Sequence, residues 1–266
     1  MTRFVLLALM MVLMLPAASG SAAADAPPEL AREAARYGSA AVNVAPDLPR
    51  VTPRVVSHGS RRERLVALTF DACATRRASG CDEAIIRILV ETGTPATVFL
   101  GGKWMLEHPE ATRRLAATGL VELANHGYLH RHLTQLADED VRRELLWTQA
   151  VMYSLTGGQG TLVRAPYVEL DERVTRLAAE IGLTPVQCDL ASGDPDPSLS
   201  CERLRRNVVA GTRNGSIIVM HLNGRGWRTA EALPGIIADL RAKGFELVTV
   251  GEMLRRNDDD GRAPLP

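Results

Sequence analysis

The sequence predicts a single α/β domain whose parallel strands close into a barrel, and three observations carry that reading. From Leu65 onward short apolar runs alternate with amphipathic stretches, the pattern of strands joined by crossover helices. The apolar runs number seven, enough for a barrel rather than a small open sheet. Gly93, Gly119, Gly182 and Gly244 stand just beyond four of the amphipathic stretches, where helix stops belong.

In chain order, Arg3 precedes an almost wholly apolar run from Phe4 to Leu15, and small residues crowd Ala17 to Ala24. This is the form of an export signal over residues 1–24, so the mature protein is expected to start near Ala24 or Asp25 and to be periplasmic or secreted. The run is shorter than the roughly 20 residues of a spanning helix, so no integral membrane segment is expected after signal removal. Residues 25–60, rich in Ala and Pro with a short helical pattern from Leu30 to Tyr37, read as an arm or linker ahead of a domain over 61–256. The expected strands are Leu65–Phe70, Ala96–Leu100, Leu120–Leu123, Thr161–Val163, Thr184–Gln187, Ser216–Met220 and Glu246–Val250. Helices are expected over Asp82–Thr92, Pro109–Thr118, Asp138–Thr156, Asp171–Ile181 and Thr229–Ala242. The acidic, Pro-containing tail 257–266 is expected to fray.

With 31 basic and 31 acidic residues the formal net charge is zero, so no global field would draw the chain to nucleic acid or an anionic membrane. Its 46% hydrophobic content supports a sizeable core. Export places the four cysteines in an oxidising compartment, where an even count favours disulfides. Three pairings are possible. The local ones, Cys73 with Cys81 and Cys188 with Cys201, are expected, each worth about 2.5–3 kcal/mol on the chain-entropy view. Cys73 as a thiolate metal ligand is the competing reading.

Chemistry gathers where strands end. In Val121 to Leu133, VELANHGYLHRHL, His126 follows the third strand and His130 comes four residues later. If the backbone turns helical there, both rings share a face and can reach one ion at the roughly 2.0–2.1 Å of a zinc–nitrogen bond. Asn125 and His132 make the stretch polar, unlike the surroundings of an ordinary buried histidine. Asp71 follows the first strand, Arg164 the fourth, Asp189 and Asp194 the fifth, and His221 the sixth. In a parallel barrel these carboxyl ends form one rim, where active sites are built. Singly, Asp71 reads as a helix cap, Arg164 as an ion-pair partner and His221 as a core imidazole. Gathered at one rim, they point to catalysis.

LTFDAC from Leu68, HGYLH from His126, RAPY from Arg164, DLASGD from Asp189 and IIVMHL from Ile217 resemble, in order, the five motifs of the polysaccharide deacetylase family. This is the NodB homology domain, carbohydrate esterase family four, and the resemblance covers Leu65 to Leu254. It implies a distorted (β/α) barrel of about seven strands and a zinc-type divalent ion that polarises the acetamide of an N-acetylated glycan. It further implies Asp71 as catalytic base, His126 and His130 as metal ligands, and His221 as general acid. Arg164 matches an arginine that holds rim carboxylates, with Asp194 as the expected partner. Tyr167 is expected to offer its backbone N–H to the oxyanion and its ring to the sugar, with Leu222 beside the substrate. These roles suit amide hydrolysis, which needs an activated water, a stabilised oxyanion and a proton for the leaving amine.

The chain departs from the family at two places. Ala72 stands where a second aspartate would bind the ion. This leaves His126 and His130 with waters or substrate, a replacement such as Cys73 or His132, or a metal-free site. In the fourth motif Pro195 stands where a tryptophan is usual; Trp104 or Trp227 could compensate, while Trp147 reads as core. His108 and His58 read as surface residues. The functions left open are a metal-dependent polysaccharide deacetylase acting on peptidoglycan or a chitin-like glycan, a metal-independent amidohydrolase of the same fold, and a non-catalytic glycan-binding homologue.

Overall fold

The computed structural model describes residues 27–36, 43, 45–74 and 80–262, with side chains to Asn257. The expected export signal lies outside the described residues. Eight parallel strands form the sheet: β1 Leu65–Ala72, β2 Ala96–Leu100, β3 Val121–Asn125, β4 Leu162–Val163, β5 Thr184–Pro185, β6 Leu190–Ala191, β7 Ser216–His221 and β8 Glu246–Leu247. Around them lie α1 Pro28–Arg36, α2 Glu83–Glu91, α3 Gly102–Glu107, α4 Pro109–Ala117, α5 Asp138–Thr156, α6 Glu172–Glu180, α7 Cys201–Gly211, α8 Thr229–Ala242 and α9 Val250–Arg262.

Seven strands follow the order β5-β4-β3-β2-β1-β7-β6, and β8 joins the start of β1. The sheet curls into an open, distorted barrel, and the chain passes directly from one edge strand to the other through residues 186–189. Because strand side chains alternate, β1 serves two layers. Leu65 and Ala67 face the narrow interior with Phe99, Ala124, Leu162 and Ile217. Val66, Leu68, Phe70 and Ala72 face the helix layer with Ile85, Leu89, Leu100, Ile218 and Met220. All eight residues of β1 are buried, as a central strand covered on both faces requires.

The five expected helices are present, and capping explains their starts. Asp82 accepts the Ala84 N–H ahead of α2, and Asp171 accepts the Val174 N–H ahead of α6. Elements the sequence pattern does not resolve are short or weakly periodic. β6 has two residues, and α7 buries only Leu204 and Val208 behind its Ser200 cap. The apolar run expected as a strand to Val250 ends at Leu247, and α9 begins at Val250 and runs to Arg262, through the start of the expected tail. In the arm, α1 packs Leu30 and Ala34 into the helix-layer core.

The expected disulfides are absent: all four cysteines are free thiols. The layers explain one failure. Cys188 packs on the interior cluster and Cys201 on the helix-side cluster, with sheet between them. Cys81 also lies against the helix-side cluster, whereas Cys73 lies among the imidazoles of the rim.

Candidate active site

Strand register sets the centre of the site. Asp71 on β1 pairs directly with His221 on β7, so carboxylate and imidazole stand at one level at the carboxyl ends of adjacent strands. Each is held by a separate partner. The fully buried Arg164, just beyond β4, donates from Nη1 to Asp71 Oδ1 at 2.7 Å and to Thr69 Oγ1 at 2.9 Å. Its Nη2 donates to the Gln187 carbonyl at 3.2 Å, and the guanidinium lies 4.1 Å over the Phe99 ring. The expected pairing of Arg164 with Asp194 is therefore corrected. Asp194 instead lies 2.8 Å from His221 Nδ1 through Oδ1, and its Oδ2 accepts the His221 backbone N–H at 2.7 Å and the Thr229 hydroxyl at 2.6 Å.

These partners move the two titrations apart. Burial pushes the Asp71 carboxyl up, but the Arg164 guanidinium above all, with the neighbouring imidazoles, outweighs it and leaves Asp71 below the usual carboxylate range. Burial pushes His221 down, but its hydrogen bond and ion pair with Asp194 raise it above an ordinary histidine. One group is readily ionised and the other readily protonated, the division a base and an acid need.

The two ligand-type histidines meet, although not on a helix. After β3 the chain makes a loop, because Gly127 at φ 72° and His130 at φ 57° both leave helical space. Buried Glu144 on α5 fixes that loop by accepting the N–H groups of Tyr128 and Leu129 at 2.8 and 2.7 Å. Asn125 Oδ1 accepts the Gly127 N–H at 2.9 Å. The loop brings the His126 and His130 rings to 5.1 Å between centroids. His126 Nδ1 lies 2.8 Å from the Arg164 carbonyl, which can only accept, so Nδ1 carries the proton and Nε2 keeps a lone pair for the site. Burial depresses His126 against the opposing charge of Asp71, and burial together with the neighbouring His126 pushes His130 down to about 3.

Cys73 completes a cluster: its Sγ and one nitrogen of each ring lie within 4.8 Å of one another. Burial and the Asp71 carboxylate push the Cys73 thiol up to about 12, so it would act as a ligand by giving up its proton to an incoming ion; a cysteine sulfur with two imidazoles is a donor set that fits a zinc-type ion. His132, the other candidate replacement, is engaged elsewhere. Its Nδ1 lies 2.8 Å from Glu169 Oε2, and its ring stacks on Tyr167 at 3.9 Å.

Tyr167 is half-exposed at the rim and also meets His130 edge-on at 4.6 Å. Among the described residues, the non-glycine residues with positive φ all lie here: His130, Tyr167 and the β-branched Val168. Backbone strain of this kind costs of order 1–3 kcal/mol per residue and concentrates at functional sites. Leu222 is corrected: it points from the end of β7 into the helix-side core with no exposed surface, away from any substrate. Trp104 is likewise fully buried, its Nε1 donating to the Gly80 carbonyl, so it cannot replace the missing groove tryptophan. Trp227 is 60% exposed, and its backbone N–H is bound by the Asp194 carbonyl beside His221. Asp189 belongs to the opposite rim, where it precedes β6 and accepts the Ile217 N–H and an Arg61 hydrogen bond. His108 is half-buried against the Trp104 ring rather than free at the surface. Sequence reasoning missed Glu144, Thr69 and Asn223; a carboxylate on the apolar face of α5, among Val141, Leu145 and Thr148, was the signal available for the first.

The polysaccharide deacetylase family profile matches residues 58–186. The peptidoglycan-N-acetylglucosamine deacetylase PgdA of Listeria monocytogenes is 27% identical over 218 residues, covering 82% of this chain and 42% of that protein. The chain thus spans less than half the length of that relative. A family 4 carbohydrate esterase from Streptomyces lividans, solved in complex with acetate, is similar at a TM-score of 0.61 and 31% identity, covering 68% of this chain and 90% of that one. A family 4 pseudoenzyme from Bacillus anthracis has the same fold at a TM-score of 0.68 and 22% identity, covering 77% of this chain and 70% of that one. With Asp71, His126, Arg164, Asp194 and His221, one residue from each of its five motifs, gathered at one rim of an open barrel, the chain belongs to the polysaccharide deacetylase family.

Proposed function

We propose that this protein is an exported hydrolase that removes N-acetyl groups from a polysaccharide, peptidoglycan or a chitin-like glycan, with the help of a bound divalent ion of zinc type. The observation that carries the reading is the registered pair Asp71 and His221, each with its own counter-charge. Asp71, kept ionised by Arg164, takes a proton from the attacking water. His221, kept protonated by Asp194, gives one to the amine as the carbon–nitrogen bond breaks. Acetate and a free amino sugar result. His126, His130 and Cys73 are the residues that would hold the ion, which when bound supplies Lewis-acid polarisation of the acetamide carbonyl and a more acidic water. The Tyr167 backbone N–H supports the oxyanion, and the exposed rings of Tyr167 and Trp227 form walls for the sugar.

Acetate release from N-acetylated chitooligosaccharides and from peptidoglycan, with zinc supplied, tests this reading. Asp71→Asn and His221→Ala are each expected to lower kcat by about 10²–10⁴-fold with glycan binding retained. Ala72 favours a second reading, a glycan-binding protein without turnover. No acetate from any N-acetylated glycan in the metal-loaded parent, with glycan binding unchanged in both variants, would replace the first reading by the second. Turnover that resists chelation would instead indicate a metal-independent amidohydrolase.

A further inference from the structure

Ala72 removes a carboxylate from the rim, and the alternation of β1 indicates what takes its place. The side chains of Ala67, Thr69 and Asp71 point into the barrel, while Ala72 has no exposed surface and lies in the helix-side core. The next inward position is Cys73. Its Sγ is buried and lies within 4.8 Å of ligand nitrogens on His126 and His130. We propose that Cys73 supplies the third protein ligand of a divalent-ion centre shared with His126 and His130, and that the sulfur makes this centre selective for thiophilic ions such as zinc and cobalt over magnesium and calcium. The inference rests on the reading of this rim as a metal site.

Three further observations support it. First, charge is conserved: a thiolate contributes the single negative charge that an aspartate would, beside two neutral imidazoles. Second, the outer partners of the ligands are in place. Buried Asn223 donates from Nδ2 to Cys73 Sγ at 3.2 Å and to the Cys73 carbonyl at 2.8 Å, which orients the sulfur. The Arg164 carbonyl does the corresponding work for His126. Third, of the competing donors, Asp71 Oδ1 is held by Arg164 and His132 Nδ1 by Glu169, while Asp71 Oδ2 lies 3.8 Å from His126 Nε2. Zinc and cobalt favour thiolate and imidazole, whereas magnesium and calcium favour oxygen ligands.

The test is titration of the purified protein with cobalt(II), followed by absorption spectroscopy and elemental analysis, with zinc and magnesium as competitors. Expected are one ion per chain, a near-ultraviolet sulfur-to-cobalt charge-transfer band, displacement by zinc and none by magnesium. Cys73→Ser and Cys73→Ala, each checked for an unchanged far-ultraviolet circular dichroism spectrum, should lose the band and weaken cobalt binding more than the roughly 10–100-fold typical of outer-sphere changes. Unchanged cobalt affinity in both variants, no ion bound by the parent, or a Cys73–Cys81 disulfide in the non-reduced peptide map would each overturn the proposal. The two readings fail separately. A cobalt–sulfur band without acetate release from any glycan retains the centre and removes the deacetylase, whereas acetate release with no band retains the activity and removes Cys73.

Discussion

At His221 burial and charge pull in opposite directions, and the balance rests on one oxygen 2.8 Å away. As a general acid His221 must be protonated, so its raised titration extends activity toward higher pH; as a base Asp71 must be ionised, so its lowered titration extends activity toward lower pH. Asp194→Asn removes the charge that raises His221. The alkaline limb of the kcat/KM profile is therefore expected to move to lower pH while the acid limb, set by Asp71 and Arg164, stays in place. A profile whose two limbs move together would show that Asp194 does not act through His221. That Asp71, His126, His130, Arg164 and His221 share a rim was legible from their positions after apolar runs. Which carboxylate Arg164 holds was not, because that depends on how far the sheet curls to bring β4 across the barrel from β1.

The loop between β3 and α5 shows how an element can be placed without being predicted. Spacing alone suggested a helical turn for His126 and His130, yet Gly127 and His130 take left-handed backbone, and the rings meet through the loop instead. The loop is fixed from outside by Glu144, three residues from Val141 and one from Leu145 on the buried side of α5. Glu144→Ala would strand the buried Tyr128 N–H, at a cost of about 1–3 kcal/mol, and free the partly buried Leu129 N–H. The expected result is a fall in stability by denaturant titration, together with weaker metal binding at His130. A variant of unchanged stability would mean that the loop holds itself. β1 presents the opposite case: its apolar run was visible in the sequence, and the alternation of its side chains carries Cys73, just beyond its end, inward beside Asp71. Elements of two residues such as β6, or with two buried side chains such as α7, carry too little pattern to be read.

Over the whole molecule the two rims divide the work. At the amino-end rim Asp189 binds the start of β7 and Arg61, a structural role that its position after an apolar run conceals. At the carboxyl-end rim the rings of Tyr167, beyond β4, and Trp227, beyond β7, are exposed, and they are the walls proposed for the sugar beside Asp71 and His221. Trp227→Ala is expected to raise KM for a glycan severalfold with little change in kcat, since it removes binding shared by ground and transition states. A loss confined to kcat would place Trp227 in the chemistry instead. The fold was legible because seven apolar runs and their glycine stops recur along the chain; the groove was not, because two tryptophans equal in the sequence end at 0% and 60% exposure.

Glu144 has one more consequence. The amide protons of Tyr128 and Leu129 are bonded to a carboxylate inside the protein, so they can trade places with deuterium only when the loop leaves α5. Deuterium uptake at these two amides should therefore be among the slowest of any loop in the chain, and should quicken in Glu144→Gln before the rest of α5 does. Two backbone protons thus report whether the histidine loop is assembled, in the absence of substrate, ion or turnover.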